Sequence, residues 1–279
     1  PMKLPHHYLL VGVLSQRFFC CCWATSEQHG GRYSYSLTTF DPDGKLGQVE
    51  RAMQAAAQGT PVIALARPNW IIMVAPQVLP SALVLDDGTS RFSRITSEIM
   101  VAHSGLTADG RVLVMAAKRL ATEHEYTFDA NIEIGIFLEE MAMLFQEYTM
   151  KPAARPFGSS LVIAFVPQTD ADMTKPQLYK MDPSGNVVSL GDSAVVHGSL
   201  QQTGLSNRLK EIIKQESPAT MEDDRVHLVS AFRAALRQQA LTKQDDEFMD
   251  MTMITATLAR CGDPLSSSFH MERYDPKAA

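Results

Sequence analysis

The side chains that could do chemistry are scattered along this sequence and are not grouped in familiar metal or catalytic motifs. Three of the four cysteines are adjacent at 20–22 and the fourth is Cys261, which is neither a disulfide framework nor the paired spacing of a zinc site. No H-E-x-x-H pattern occurs, and no histidine lies at ligand spacing from a convincing carboxylate pair. The histidines are His6, His7, His29, His103, His124, His197, His227 and His270. We therefore predict no metal site and no cofactor, and we expect the histidines to be surface residues or satisfied core residues. The cysteine usage is typical of a reducing compartment.

Patterns that could indicate phosphate binding, a nucleophile or an acid/base pair are absent or have non-catalytic explanations. Gly44-Lys45 lacks the spacing of a phosphate-binding loop, and no G-x-S-x-G nucleophile turn occurs. Glu139-Glu140 lies in a predicted helix, where adjacent carboxylates are more typical of a solvated face than of an acid/base pair. The residue types and spacings alone thus identify no active site.

The composition is that of a globular protein. The chain has 279 residues, 45% of them hydrophobic and 20% charged, with a net charge of −6. That charge disfavours nucleic acid or an anionic membrane as the main partner, and no apolar run approaches the ~20 residues that span a bilayer. We see no internal repeat and no linker between domains.

The first 29 residues allow two interpretations. A short apolar patch follows Lys3 and small residues follow Trp23, as in a signal peptide. The apolar core is short, however, and Arg17 follows it, which favours a poorly ordered extension or a segment not present in the mature protein. A secreted or membrane-directed protein therefore remains an alternative at this point.

A short strand, a turn and a helix come next. Residues 33–40 alternate aromatic or apolar residues with Ser and Thr, and Asp41-Pro42-Asp43-Gly44 has the composition of a turn. Over residues 45–58, apolar residues recur every three or four positions, which predicts an amphipathic helix that ends at Gly59.

The rest of the chain predicts strands and helices in alternating groups. Several short strands are expected between 61 and 103, followed by helices over 107–125 and 131–148. Further elements are expected as strands at 159–166, 177–182, 194–198 and 249–258 and as helices at 199–214 and 222–240. This order indicates sheets packed on each other with helices outside.

Three segments, in the right order, resemble the proteasome alpha-subunit family. The first contains Tyr33, Thr39-Phe40, Pro42, Gly44-Lys45 and Gln48-Val49-Glu50, and its Ser-Leu-Thr-Thr-Phe run is most similar to the type-2 branch. The others are "SGLTADGRVLV" at 104–114 and "QEYTMKPAARPFGSSLVIA" at 146–164, and "DPSG" at 182–185 adds a shared turn.

The resemblance implies an α+β fold, a four-layer αββα sandwich of the N-terminal-nucleophile hydrolase type. It gives three regions: an unmatched extension at 1–29, an alpha-type domain at 30–258 and a polar tail at 259–279. Residues 61–90 match the family poorly.

Catalytic members of this fold use a threonine at a freed N-terminus, and Thr60 stands where such a cleavage would occur. The position of the catalytic lysine is held by Arg91, which cannot accept a proton near neutrality. No Asp or Glu occurs from Thr60 to Leu85, and cleavage would discard the alpha-type leader. We therefore predict no catalytic residue, while a threonine peptidase using Thr60 remains the alternative of the same fold.

The resemblance also implies gate and docking residues. A family cluster of Tyr, Asp, Pro and Tyr holds the pore open; here Tyr33 and Pro42 match, but Ser34 and Arg51 replace the other two. Arg91 occupies the position of a lysine that receives the terminal carboxylate of an activator tail, although an ordinary surface arginine is an equal interpretation.

The expected function is that of a non-catalytic alpha-ring subunit of the 20S proteasome core in ubiquitin-dependent protein degradation. Its expected partners are neighbouring alpha subunits, beta-ring subunits and regulatory-particle or activator tails, with no nucleic acid and no membrane. The expected location is the cytoplasm and nucleus.

Overall fold

The computed structural model describes residues 39–77, 91–167, 175–190, 193–196, 220–243, 253–259 and 269–274. All of them belong to one compact unit, residues 35–279. Among these residues, no helix combines the length and apolar character needed to cross a bilayer. The extension at 1–29, the helix predicted at 199–214 and residues 33–38 of the strand predicted at 33–40 lie outside the described residues, and residues 39–40 are not in a strand.

Four helices and ten strands make up the described part of the chain. The helices are α1 (Gly47–Ala57), α2 (Thr107–Phe128), α3 (Ile134–Met150) and α4 (Met221–Lys243). The strands are β1 (Val62–Ala66), β2 (Trp70–Pro76), β3 (Phe92–Arg94), β4 (Ile99–Gly105), β5 (Ser159–Phe165), β6 (Gln177–Met181), β7 (Val187–Leu190), β8 (Ser193–Val196), β9 (Met253–Ala259) and β10 (Phe269–Tyr274).

The strands form two five-stranded sheets in which every pair is antiparallel. The first sheet has the order β10-β9-β2-β1-β8 and the second has the order β3-β4-β5-β6-β7. The β6–β7 hairpin closes at the predicted turn, where Gly185 has a φ of 82° and donates its N–H to the Asp182 carbonyl over 2.9 Å.

Three apolar clusters separate four layers. Alternate side chains of β1, β2 and β9 meet those of β4 and β5, as Met73 and Met100 illustrate, and form the core between the sheets. The opposite face of the second sheet packs on α2 and α3, and the opposite face of the first sheet packs on α4. The expected α+β, four-layer αββα sandwich is confirmed, because each sheet is apolar on both faces and so needs a layer on each side.

Some details differ from the sequence-based expectations. The sequence of α2 predicts one apolar face with Val112, Leu113, Ala116 and Leu120, but the buried stripe contains Leu113, Ala117 and Ala121, and Val112 is half exposed. A strand also occurs in the segment expected to be a polar tail, since β10 pairs with β9 with Phe269 opposite Leu258.

A buried carboxylate joins α4 to the first sheet. Asp224 in the first turn of α4 is buried and accepts hydrogen bonds from Arg67 Nε (3.0 Å) and Nη2 (2.9 Å), and from Trp70 Nε1 (3.1 Å). Arg67 and Trp70 flank the β1–β2 turn, so this carboxylate fixes α4 to that hairpin.

Candidate functional site

The turn and helix at the start of the described chain have the predicted geometry. Pro42 is exposed in a turn in which Gly44 N–H donates to the Asp41 carbonyl over 2.8 Å, and Asp41 N–H donates to the Lys45 carbonyl over 2.8 Å. Gly44 has a φ of 74°, a conformation that favours glycine. Tyr33 and Ser34 lie outside the described residues, so their relation to this turn stays a prediction.

Helix α1 follows the turn, and the side chains that it buries are small. Its buried residues are Val49, Ala52 and Ala56, and it packs on β4 and β5. No side chain caps its N-terminus at Leu46. Arg51 is half-buried on this helix, and its place in the gate stays a prediction.

Thr60 and Arg91, which the family resemblance singled out together, meet in the structure. Arg91 Nη2 donates to Thr60 Oγ1 over 2.8 Å. Arg91 Nη1 is buried without a hydrogen-bond partner, and burial lowers the pKa of the guanidinium. Arg91 is therefore a partly buried side chain that is hydrogen-bonded within the chain, and its role in docking stays a prediction.

The backbone around Thr60 is fixed from a second direction. Ser104 Oγ donates to the Thr60 carbonyl over 2.7 Å, and the Ser104 carbonyl accepts from Ser159 Oγ over 2.9 Å. A Cβ added to Gly59 would lie 2.1 Å from Gly105 N, so the two chain segments approach too closely for any other residue. We call Gly59 and Thr60, with their contacts to Arg91, Ser104 and Gly105, the Thr60 joint.

His103 is a buried neighbour of this joint that the sequence did not single out. It is 3% exposed and neither ring nitrogen has a hydrogen-bond partner. Burial is the main cause, and the charge of Arg91 a smaller one, that lowers the pKa of His103 to about 4, while an interaction with the Arg91 backbone opposes the shift. A Cβ on Gly110 would lie 2.2 Å from its ring, which shows how closely the first turn of α2 covers it. His103 is thus neutral at pH 7 and is neither a surface nor a satisfied core histidine.

A third contact holds the loop before β5 against α2. Asp109 accepts hydrogen bonds from Arg155 Nη1 (2.5 Å), Arg155 Nη2 (2.8 Å) and Gly158 N–H (2.8 Å). The hydrogen bond from Arg155 is the main cause that lowers the pKa of Asp109, burial opposes it, and the Gly158 N–H adds to it. Both residues come from segments that carried the family resemblance.

The contacts of Thr60 bear on whether it could act as a nucleophile. In the sequence given, its nitrogen is in a peptide bond to Gly59, and only cleavage of that bond would free the terminal amine that takes the hydroxyl proton. The hydroxyl accepts a hydrogen bond from a guanidinium, which holds its own protons firmly. Among the described residues, no group of three or more His, Cys, Asp or Glu could hold a metal. Glu139 and Glu140 are exposed, as predicted for a solvated helix face.

Comparison with known proteins gives consistent matches. Residues 56–249 match the family model for the proteasome subunit, and residues 33–55 match the model for the N-terminal signature of its A-type subunits. The chain is 36% identical over 164 residues to proteasome subunit alpha type-2 of Oryza sativa subsp. indica, covering 59% of this chain and 68% of the relative.

Distant eukaryotes give the same result. The chain is 35% identical over 163 residues to proteasome subunit alpha type-2 of Dictyostelium discoideum, covering 58% of this chain and 68% of the relative. It is 32% identical over 187 residues to proteasome subunit alpha type-2 of Saccharomyces cerevisiae, covering 66% of this chain and 73% of the relative.

Proposed function

Since this chain belongs to the proteasome subunit family and matches its alpha-type N-terminal signature, we propose that it works as a non-catalytic alpha-ring subunit of the 20S core. In that role it contributes to ring assembly, to gating of substrate entry and to docking of regulatory particles in ubiquitin-dependent degradation. The observation that carries the proposal is the alpha-type signature, whose C-terminal part forms the Pro42 turn and α1. The comparisons do not support the secreted-protein alternative or the threonine-peptidase alternative.

The proposed absence of catalysis has support from the Thr60 joint. A peptidase of this fold needs a freed amine and a proton-accepting lysine beside the threonine. Here Thr60 is joined to Gly59, and Arg91 contacts its hydroxyl over 2.8 Å where the family resemblance places that lysine. Cleavage of substrates would then belong to the beta subunits of the same particle.

The gate role rests on the turn at Pro42. Two backbone hydrogen bonds and the positive φ of Gly44 fix that turn directly before α1, so a shift of the turn would move the chain that precedes it. We place Tyr33, Ser34, Pro42 and Arg51 at the gate. With Ser34 and Arg51 in place of Asp and Tyr, this subunit should contribute little to holding the pore open.

Arg91 is our candidate for the activator pocket. Its Nη2 is used by Thr60, but Nη1 has no hydrogen-bond partner, so the guanidinium retains a donor for a carboxylate. An arginine binds a carboxylate strongly, frequently through two parallel hydrogen bonds. The burial of Nη1 means that a small shift of its neighbours has to accompany binding.

We propose that neighbouring subunits pack against the outer helix layer, which is formed by α2 and α3. The α2–α3 face has an open groove of about 480 Å³, and its lining includes Leu120, Met143 and Leu144. Met115 and Met143 are more than half exposed on these helices. Exposed apolar side chains beside a groove are typical of a surface that a protein partner covers. The location in the cytoplasm and nucleus is part of the same proposal.

The assembly state tests the proposal directly. Native mass spectrometry of the purified complex should place this chain in a particle of about 28 subunits, the size that the family resemblance implies. A chain that is found only as a monomer, or only outside such particles, would contradict the ring role.

A second experiment tests the gate. Particles carrying the double change Ser34→Asp and Arg51→Tyr should hydrolyse small peptides faster in the presence of an activator, because the open-pore cluster is restored. Gln54→Tyr, which adds the same ring at an exposed position of α1, is the control and should have no effect. Equal rates in all three particles would remove Ser34 and Arg51 from the gate.

A further inference from the structure

The contacts described along α1 differ in kind from those described just after its end. Along its length, Val49, Ala52 and Ala56 are its buried side chains, and all three are small. Small side chains bury little apolar area against the entropy of ordering eleven residues. At its C-terminal end, by contrast, the Thr60 joint provides two hydrogen bonds and a close backbone approach.

The hydrogen bond from Arg91 is the stronger of these joint contacts on physical grounds. Its donor is charged and mostly withdrawn from water, which strengthens a hydrogen bond relative to one between neutral groups. Arg91 directly precedes the edge strand β3, and Ser104, the second partner of Thr60, lies in β4. Thr60 is thus bound to β4 and to the residue before β3, three residues after α1 ends.

We propose that the Thr60–Arg91 hydrogen bond controls how readily α1 separates from the sheets, so that α1 opens as a unit while the sandwich stays folded. Segments with few buried apolar contacts open locally at lower free energy than the core. The opening would move the Pro42 turn, which is separated from α1 by two residues. This inference goes beyond the proposed function and holds whether or not a ligand binds Arg91.

Hydrogen exchange of the full-length chain tests the first half of the inference. Backbone amides of α1 should exchange faster than those of β4 and β5, and their exchange should persist at denaturant concentrations too low to unfold the sheets. If α1 exchanges only together with β4 and β5, in one global step, the inference is wrong.

Removal of the Thr60 hydroxyl tests whether the Thr60–Arg91 hydrogen bond controls the opening of α1. Thr60→Val keeps the shape but removes the acceptor, and should accelerate exchange of α1 by about tenfold to a hundredfold, as expected for losing a hydrogen bond to a charged group. Thr60→Ser keeps the acceptor and should leave the rate close to that of the native chain. Thr127→Val is the matched control, because its hydroxyl donates to the Glu123 carbonyl over 2.8 Å in α2.

A double-mutant cycle separates this bond from general loss of stability. Arg91→Gln should accelerate exchange of α1 by a similar factor, and adding Thr60→Val to it should have little further effect, because both changes remove one interaction. Additive effects, or equal acceleration in α1 and β4, would overturn the proposal. Should Thr60→Val fail to fold, the native chain and Arg91→Gln still decide the outcome.

Discussion

Asp224 gives the sharpest test of how the helix layers are attached to the sheets. Its side chain is 1% exposed, and it accepts two hydrogen bonds from Arg67 and one from Trp70, whereas the Arg67 side chain is 22% exposed. The two partners should therefore respond differently to loss of the other. Arg67→Met leaves a carboxylate in the interior with one remaining donor, while Asp224→Ala leaves a guanidinium that can turn toward water.

The magnitudes follow from that asymmetry. Breaking a buried ion pair so that a charge stays buried costs about 3–5 kcal/mol, and we expect that loss in the free energy of unfolding for Arg67→Met. Asp224→Ala should cost less, about 1–3 kcal/mol, because its main penalty is the unsatisfied Trp70 N–H. The double variant Arg67→Met with Asp224→Leu should recover part of the loss, since an apolar pair replaces the ions.

Urea unfolding followed by circular dichroism measures these differences in the full-length chain. Glu123→Ala is the control, because its ion pair with Arg119 is largely exposed and should contribute little. A larger loss of unfolding free energy for Asp224→Ala than for Arg67→Met would refute the reasoning. It would show that the difference in exposure between the two side chains does not determine which variant leaves an unpaired charge in the interior.

Three further predictions concern the other sites. A threonine-directed electrophile should add no mass to this chain in intact-mass measurements while labelling the catalytic beta subunits, and an adduct on Thr60 would reverse the assignment of Arg91 as a block to catalysis. Asp109→Asn should reduce the loss of stability that the native chain shows at acid pH. Arg155 lowers the pKa of Asp109 in the folded state, so the stabilisation from this carboxylate is complete above its unfolded pKa of about 3.9 and is lost as pH falls through the lower folded pKa. An unchanged dependence of the unfolding midpoint on pH would contradict this. Ala153→Gly should raise stability by about 0.5–1 kcal/mol in urea unfolding, because Ala153 has a φ of 62°, whereas Ala154→Gly should lower it; a loss in both would show that the positive φ carries no strain.

The sequence predicted the elements whose residues follow a regular pattern. Helices α2 and α3 were expected within a few residues of their observed ends because long apolar stripes at helical spacing are typical of a helix that is buried on one face. β7 and β10 were missed: Val187–Leu190 has no residue that is fully buried, and Phe269–Tyr274 contains charged residues on an edge strand. Neither segment shows the regular alternation of apolar and polar residues by which a half-buried strand is recognised.

The candidate site was less predictable than the fold. The proximity of Thr60 and Arg91 came from the family resemblance, because no rule of spacing joins a residue after α1 to one before β3. His103 could not have been identified as buried and unsatisfied, since its burial depends on Gly110 in α2 leaving room for the ring. The hydrogen bonds that Thr60 makes to Arg91 and Ser104 depend on the fold and cannot be predicted from the threonine alone.

The neighbours of β2 have a consequence for synthesis of the chain. Trp70 pairs with Ala259 and Pro76 with Met253, so one side of the β1–β2 hairpin is completed by a strand made roughly 180 residues later. At ribosomal rates of about 5–20 residues per second, that delay is on the order of ten to forty seconds. We expect the nascent polypeptide to carry an uncovered, apolar strand edge during that interval, and such an edge is prone to aggregation and suited to chaperone binding.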